Sequence, residues 1–287
     1  MTEYLIDAAA FSDKGRVRGN NEDNLYLNGT FMPLEEMDNG ISVSAASSDA
    51  TQIYSVCDGM GGLESGELAS HAVVSCMKGY PFTAAKDIQA AINDFCSKAN
   101  DAVYHSADGK PGEKRNGSTF TCVAIHSKSA TVAHIGDSRI YRMHQGVLEQ
   151  VTRDHSEVQR MIDLGFLTPE QALVHPKRHT LTRYLGADPT EFSTDPTIGG
   201  PYPLATGDRY VLCSDGLCDM ISKDRIQEIL LEHTDSLEAA KALADAALEA
   251  GGKDNVTLIV LTVKNTVKKG FSPLDVARRL RSYLSGE

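Results

Sequence analysis

Runs of apolar, often β-branched residues predict the strands of this chain. The runs cover residues 5–11, 52–57, 118–152, 209–213 and 256–263. Within the longest of them, Gln145-Gly146 has the composition of a hairpin tip between strands at 139–143 and 147–151. The pattern therefore predicts a protein with many short strands.

Apolar residues at spacings of three and four predict two pairs of helices. The first pair covers 66–78 and 86–105, and the second covers 223–232 and 236–249. Between the pairs, a short amphipathic helix is expected at 157–164. A further helix should begin at Thr168-Pro169-Glu170-Gln171, which combines a Thr N-cap, Pro at the first helical position and Gln at the third. Helices in two separate pairs indicate sheets covered on their outer faces.

Two segments have a less definite pattern. Residues 28–51 are polar and rich in Ser, Ala and Gly, without a helical or strand period, and are interpreted as a surface insertion. In the tail, 265–287, Ser272 and Pro273 would begin a short helix with one apolar face. That helix is expected either to dock on its own domain or to bind a partner.

Length and composition limit the class of protein. The 287 residues carry 39 acidic against 28 Lys and Arg side chains, a formal net charge of −11, so nucleic acid is not expected as a partner. No apolar run approaches the ~20 residues needed to span a bilayer. The six cysteines contain no C-x-x-C pair, which is typical of reduced thiols. A cytoplasmic, monomeric protein without membrane insertion is expected.

Four acidic patches lie at or beside the ends of predicted strands. They are Arg18-Gly19-Asn20-Asn21-Glu22-Asp23, Asp58-Gly59-Met60-Gly61-Gly62, Asp215-Gly216 and Asp254-Asn255. Carboxylates at strand ends can converge, and oxygen donors without nearby His or Cys select hard cations such as Mg²⁺ or Mn²⁺. Because several carboxylates around one point repel each other, two ions are inferred. Taken alone, an Asp-Gly pair is more often a turn than a ligand.

Five further motifs occur in the order of a known family. They are Gly117-Ser118-Thr119, Gly136-Asp137-Ser138-Arg139, Thr152-Arg153-Asp154-His155-Ser156, Leu181-Thr182-Arg183-Tyr184-Leu185-Gly186 and Ser214-Asp215-Gly216-Leu217. With the acidic patches they resemble the metal-dependent serine/threonine protein phosphatases of type 2C, in the compact bacterial form. The resemblance covers roughly residues 5–264, and so many short matches in one order rarely arise by chance.

The resemblance implies an α+β fold, a four-layer αββα sandwich of two mostly antiparallel sheets flanked by helix pairs. It also implies that residues 1–264 form one catalytic domain, in which 28–51 is an insertion and 156–185 is a small flap beside the active site. The tail at 265–287 lies beyond the resemblance.

The resemblance also implies a role for each acidic residue. Asp58 would bridge two Mn²⁺ or Mg²⁺ ions, and the first of these would also be held by Asp215 and Asp254. The second ion and its bound waters would be served by Glu22 and Asp23, and the carbonyl oxygen of Gly59 would ligate one of the two ions. Asp219, which follows Asp215 by four residues, is assigned to the solvent.

Two residues keep alternative interpretations. Asp137 would bind a weaker third ion, as in several bacterial relatives, or would be a turn residue fixed by Arg139 or by backbone amides. Arg18 would grip two phosphoryl oxygens with its planar guanidinium, or would be a surface arginine paired with a carboxylate.

The implied activity is hydrolysis of phosphoserine and phosphothreonine in proteins by a water held between two ions, reversing a bacterial Ser/Thr kinase. Met60 occupies a position where many eukaryotic relatives carry a histidine proposed to protonate the leaving group, so that proton donor is left open. Two alternatives remain. One is a regulatory pseudophosphatase that binds phosphoproteins, and the other is a small-molecule phosphohydrolase on the same fold.

Overall fold

The computed structural model describes residues 4–61, 66–106, 116–188, 190 and 193–265. The strands within these residues are β1 (Leu5–Asp13), β2 (Asp23–Leu27), β3 (Thr30–Phe31), β4 (Ile41–Ser47), β5 (Thr51–Met60), β6 (Gly117–Ser118), β7 (Phe120–His126), β8 (Ser129–Ile135), β9 (Arg139–His144), β10 (Val147–Gln150), β11 (Thr197–Pro203), β12 (Arg209–Cys213) and β13 (Val256–Lys264). The helices are α1 (Gly66–Gly79), α2 (Ile88–Ser106), α3 (Glu157–Asp163), α4 (Pro169–Ala172), α5 (Asp215–Cys218), α6 (Lys223–Glu232) and α7 (Ser236–Glu249).

The strands form two antiparallel sheets. The first has the order β10-β9-β12-β13-β1-β4, and the second has the order β11-β8-β7-β5-β2-β3, with β6 paired to β5. Alternate residues of the facing strands, among them Ile6, Tyr54 and Leu212, form one buried core between the sheets. The two sheets therefore pack face to face.

Each sheet is covered on its outer face by a helix pair. Phe95 of α2 and Val73 of α1 pack on the second sheet, and Leu243 of α7 and Ile229 of α6 pack on the first. These helices follow the apolar spacing of their sequences, and each buries one face against its sheet. The four-layer αββα sandwich implied by the resemblance is confirmed.

The interpretation of residues 28–51 as a surface insertion is corrected by the structure. Residues Ile41–Ser47 form β4, which pairs with β1 over its whole length, from Ile41 opposite Ser12 to Ser47 opposite Ile6. The preceding 3₁₀ turn, Leu34–Asn39, buries Met37. The segment is thus the edge strand of the first sheet and its approach.

The flap predicted at 156–185 leaves and rejoins the domain at one place. Its ends are tied together, since the Glu157 amide donates to the Thr180 carbonyl and the Thr182 amide donates to the His155 carbonyl, at 2.9 and 2.8 Å. Between these ties lie α3 and α4. The predicted capping box at the start of α4 is confirmed, because Thr168 and Gln171 cap each other. The two ends of the segment therefore lie side by side.

Other local predictions can be compared with the structure. Gln145 and Gly146 have φ of 51° and 81°, as a two-residue hairpin tip of type I′ requires, so that prediction is confirmed. The helix predicted from Ser272 lies outside the described residues. Among the helices of the described part of the chain, none is long and apolar enough to cross a membrane.

Candidate metal centre

Asp23 and Asp58 come together because they are partners in the register of neighbouring strands. Asp23 opens β2 and faces Asp58 near the end of β5. Thr119 fixes the position of Asp58, since its Oγ1 accepts the Asp58 amide at 2.9 Å and its own amide donates to the Asp58 carbonyl at 2.8 Å. Two adjacent carboxylates therefore lie where β2 begins and β5 ends, at one end of the strands of the second sheet.

Asp215 and Asp254 lie at the ends of two neighbouring strands of the first sheet. Asp215 begins α5 directly after β12, and Asp254 precedes β13, the strand paired with β12. The close approach depends on Gly216, where a Cβ atom would overlap the carbonyl oxygen of Asn255. Both sheets thus contribute acids to one place.

Asn255 joins the 18–23 loop to these strand ends. Its Oδ1 accepts the Glu22 amide at 2.8 Å, and its Nδ2 donates to the carbonyls of Lys14 and Asn20, each at 2.9 Å. These three bonds place Glu22 beside the strand end that carries Asp254. Sequence analysis named Asn255 only as a neighbour of that acid.

Glu22 and Gly59 form one corner of the site. The Gly59 amide donates to the Glu22 carbonyl at 3.1 Å, and the Glu22 carboxylate accepts the Gly66 amide at the start of α1. A Cβ atom on Gly59 would overlap the Gly66 carbonyl oxygen, so only glycine permits this backbone contact. Burial raises the pKa of Glu22.

The acids raise each other's pKa values. Burial raises the pKa of Asp58 well above its ordinary value, and the charges of Asp23 and Asp215 raise it further. Burial also raises the pKa of Asp23 to about 7, although the Ser214 hydroxyl, 2.7 Å from the Asp23 carboxylate, opposes the shift. Ionised together, these carboxylates would repel one another strongly.

Asp137 belongs to the same electrostatic cluster. Its pKa is raised to about 8 by burial and then by the charges of Asp215 and Asp154. Arg139 does not hold it by a hydrogen bond, because that guanidinium grips Asp154 through Nε and Nη2, with its shortest bond at 2.7 Å. Arg139 therefore does not fix Asp137, but the backbone amide of Asp137 bonds its own carboxylate, so the turn interpretation stays open through the backbone and the third-ion role stays a prediction.

Arg18 is paired with one of the acids at the rim of the cluster. Its Nη2 lies 2.7 Å from Oδ2 of Asp254, and its Nη1 lies 4.0 Å from Oε2 of Glu22. The side chain is 47% exposed, so part of the guanidinium faces solvent. This geometry is that of the alternative interpretation, in which Arg18 pairs with a carboxylate. The phosphate-binding role stays a prediction.

Two residues at the site were missed by sequence analysis. Nδ1 of His179, from the flap, lies 3.4 Å from Oδ2 of Asp215, and its Nε2 lies 3.9 Å from Oδ2 of Asp219. Ligand atoms of these three side chains lie within 4.8 Å of one another. The spacing of four between Asp215 and Asp219 was an available signal, because it places both on one side of a helical turn. Nothing in the sequence placed His179 there.

The donor set fits divalent cations. It consists of carboxylates from both sheets and the bare backbone at Gly59, with Asp23 buried and the other acids partly exposed. Arg18 at the rim supplies one positive charge against several acids, so the cluster is far from neutral without bound cations. Oxygen donors of this kind suit Mg²⁺ or Mn²⁺.

Comparison with known proteins decides the family. The family model described as "Protein phosphatase 2C" matches residues 24–256. The chain belongs to the protein phosphatase 2C family. The serine/threonine protein phosphatase PstP of Mycobacterium tuberculosis is 34% identical over 260 residues, 90% of this chain but 45% of the relative. The chain thus spans just under half the length of that relative. The serine/threonine phosphatase stp of Listeria monocytogenes is 30% identical over 90% of this chain and 96% of its own.

Solved structures of protein phosphatase 2C members show the same architecture. The catalytic domain of PstP in complex with two manganese ions has a TM-score of 0.74 at 32% identity, covering 91% of this chain and 99% of that one. Stp1 from Staphylococcus aureus has a TM-score of 0.75 at 29% identity, covering 90% of this chain and 94% of that one.

Proposed function

We propose that this chain is a metal-dependent phosphatase that removes phosphate from phosphoserine and phosphothreonine in proteins. The observation that carries the proposal is the cluster of acids from both sheets, with Asp23 buried and the others partly buried, which raise each other's pKa values beside the half-exposed Arg18. Such a cluster is costly unless it binds cations. Membership of the protein phosphatase 2C family and the two manganese ions of the similar PstP structure support the same role.

Within this proposal each acid has one task. Asp58 would contribute to both ions, Asp215 and Asp254 would complete the first, and Glu22, Asp23 and the Gly59 carbonyl would serve the second. Asp137 would hold a weaker third ion, and the proximity of its charge to Asp215 supports this. When bound, divalent cations activate water for attack on phosphorus and neutralise charge on the phosphoryl oxygens.

The chain's own residues would hold and orient the substrate. Arg18 would bind two oxygens of the phosphoryl group through its planar guanidinium group, which is partly exposed to solvent. The hydrogen bond from Ser214 would fix the Asp23 carboxylate before substrate arrives, and the two bonds between Thr119 and the Asp58 backbone would fix the position of Asp58 on β5. Glu22 would be held in place by the Asn255 amide group. Preorganised groups of this kind cost little reorganisation in the transition state.

We also propose where the substrate comes from, where the protein lies in the cell and its oligomeric state. The names of the bacterial relatives support a phosphoprotein substrate, and we propose that a Ser/Thr kinase makes it. All six cysteines are free, which supports a reducing cytoplasmic location. We propose a monomer, since a net charge of −11 opposes self-association.

The proposal is tested by phosphate release from matched phosphoserine, phosphothreonine and phosphotyrosine peptides, with EDTA and with Mn²⁺. We expect release from the first two, only with Mn²⁺. A pseudophosphatase would bind these peptides without releasing phosphate. A small-molecule phosphohydrolase would release phosphate only from compounds such as aryl or sugar phosphates, and either outcome would overturn the proposal.

A further inference from the structure

The flap carries an unusual number of exposed apolar side chains. Seven large hydrophobic side chains are exposed in the described part of the chain, and four of them fall within 164–174. We call these four the flap ridge, and they are Leu164, Phe166, Leu173 and Val174, exposed by 57%, 73%, 72% and 81%. Single exposed apolar residues are ordinary, whereas four in eleven consecutive residues mark an interaction surface.

The flap ridge is not needed for the folding of the flap itself. Val158 of α3 and Ala172 of α4 are 8% and 7% exposed and form the buried side of this segment. The ends of the segment are held by backbone bonds and its short helices by the Ser156 and Thr168 caps. The ridge residues are therefore left to water in the isolated chain.

Unpaired cations lie next to the flap ridge in a chain with a net charge of −11. Lys177, Arg178 and Arg183 are exposed, and we call them the cationic strip. Among the arginines that the structure describes, only the two in this strip have a guanidinium without a hydrogen-bond or ion-pair partner. Such cations are free to bind an anion.

Successive turns connect the flap ridge to the cationic strip and to the metal centre. The His175 amide donates to the Ala172 carbonyl at 3.2 Å, and the Arg178 amide donates to the His175 carbonyl at 3.1 Å. The next residue, His179, contacts Asp215. A fifth exposed apolar residue, Val17, directly precedes Arg18 in the sequence. Apolar and cationic surface thus borders the place where the phosphoryl group would bind.

We propose that the flap ridge and the cationic strip bind the phosphoprotein substrate itself. An apolar side chain of the substrate would pack on Phe166, Leu173 and Val174, and acidic side chains near its phosphorylated residue would pair with the strip. This proposal rests on the proposed function and names the sequence class of its substrates, in which the phosphorylated residue has acidic and apolar neighbours. The strip joins the metal centre through His179, so an anionic phosphoprotein bound at that centre would meet it, whereas two whole chains with a net charge of −11 each repel one another; both points favour this occupant over a second copy.

The apolar part is tested with the variant Phe166→Ser/Leu173→Ser/Val174→Ser in the full chain with Mn²⁺. The substrates are phosphothreonine peptides in which one leucine is moved residue by residue along each side of the phosphothreonine, with an alanine peptide for reference. In the wild type, we expect one leucine position to raise kcat/KM about tenfold over alanine, through KM. The variant should lose that preference and keep its activity on an aryl phosphate within about twofold.

A matched control removes exposed apolar residues elsewhere. Val147 at the hairpin and Leu231 on α6 are 58% and 55% exposed, so Val147→Ser/Leu231→Ser makes a comparable change away from the flap. This control should keep the leucine preference. Thermal melting checks that both variants are folded, which exposed serine substitutions should not disturb.

The cationic part is tested with Lys177→Gln/Arg178→Gln and with peptides that differ by Glu or Gln beside the phosphothreonine. The wild type should prefer the Glu peptide, increasingly at low salt, and the variant should not.

No preference for leucine or Glu in an active wild type, or an equal loss on aryl phosphate and peptide in the ridge variant, would overturn the proposal. A shift of the wild type, but not the ridge variant, to a dimer at assay concentration would also overturn it. No phosphate release from any peptide would instead reject the proposed function.

Discussion

Asp23 and Asp58 face each other across β2 and β5, Asp23 buried and Asp58 partly buried. The Ser214 hydroxyl donates to the Asp23 carboxylate, and Thr119 bonds the backbone of Asp58, so the two residues are held opposite each other. Two carboxylates on paired strands raise the free energy of the ionised, metal-free fold, because the strand pairing keeps the two charges close together. The same arrangement favours divalent cations, whose binding removes that repulsion.

The stability of the metal-free protein should therefore depend on pH. The pKa values of Asp23 and Asp137 are about 7 and about 8 in the fold, against 3.8 ordinarily. Because the folded state binds these protons more tightly than the unfolded state, the stabilisation is complete below about pH 4 and is lost as the pH rises through 7 to 8. In EDTA the Tm should fall between pH 6 and about 8.5 for this reason.

The variant Asp137→Asn should weaken that dependence, since it removes one of the raised carboxyl groups. At about pH 8.5 in EDTA its Tm should exceed that of the wild type by roughly 5 °C, and the difference should shrink towards pH 5. Asp245→Asn, a change of an exposed aspartate on α7, is the control and should follow the wild type. Parallel melting curves for Asp137→Asn and the wild type at every pH would contradict the raised pKa.

Metal affinity should depend on Asp215. Asp215→Asn removes a carboxylate at the edge of the first sheet, and we expect the tightest Mn²⁺ association in calorimetry to weaken by at least about 100-fold. Asp245→Asn should titrate like the wild type. Unchanged Mn²⁺ binding in folded Asp215→Asn would remove this residue from the proposed set of ligands.

Arg18→Ala should separate phosphate binding from metal binding. Loss of the guanidinium should raise the KM for an aryl phosphate and lower kcat, together by about 100-fold in kcat/KM. Mn²⁺ affinity should stay the same or increase, since Arg18 is a cation paired with Asp254. Arg16→Ala, which removes a side chain that donates to the Leu248 carbonyl, is the control. Loss of Mn²⁺ affinity in Arg18→Ala would show that the residue supports the metal centre instead.

The contact of His179 with Asp215 and Asp219 should hold the flap against the domain in the metal-free protein. In His179→Ala, limited proteolysis within 157–178 should therefore become faster by about tenfold, because closing the flap would lose this contact. His105→Ala is the control, since its imidazole contacts the Asp101 carbonyl and the Tyr104 ring of its own helix, α2. Equal cleavage rates in all three proteins would mean that other contacts close the flap.

Much of the fold could be predicted because its elements follow their own sequence periods. The helices α1, α2, α6 and α7 have clear apolar stripes, and the layer order came from the family resemblance. The strand β4 was missed. Its outward residues are Ser and Ala and two of its inward residues are no larger than Val, so the alternation that marks a strand has little contrast there.

The acids of the site were predictable because each lies in a motif at a strand end. Their partners were not, since the bonds from Ser214 to Asp23 and from Asn255 to Glu22 join residues about 190 and 230 positions apart. His179 reaches Asp215 only because the flap folds back over α5. A single sequence has no local pattern for such contacts.

The central claim is that these buried acids form a metal centre that hydrolyses phosphothreonine. Its most direct test is a Mn²⁺ titration of phosphate release from a phosphothreonine peptide, with the wild type, Asp58→Asn and the control Asp245→Asn. We predict saturable, Mn²⁺-dependent release by the wild type and the control, and at least a thousandfold loss, about 4 kcal/mol, in an Asp58→Asn protein that is still folded. Release by the wild type in EDTA, or near wild-type release by Asp58→Asn at any Mn²⁺ concentration, would contradict it.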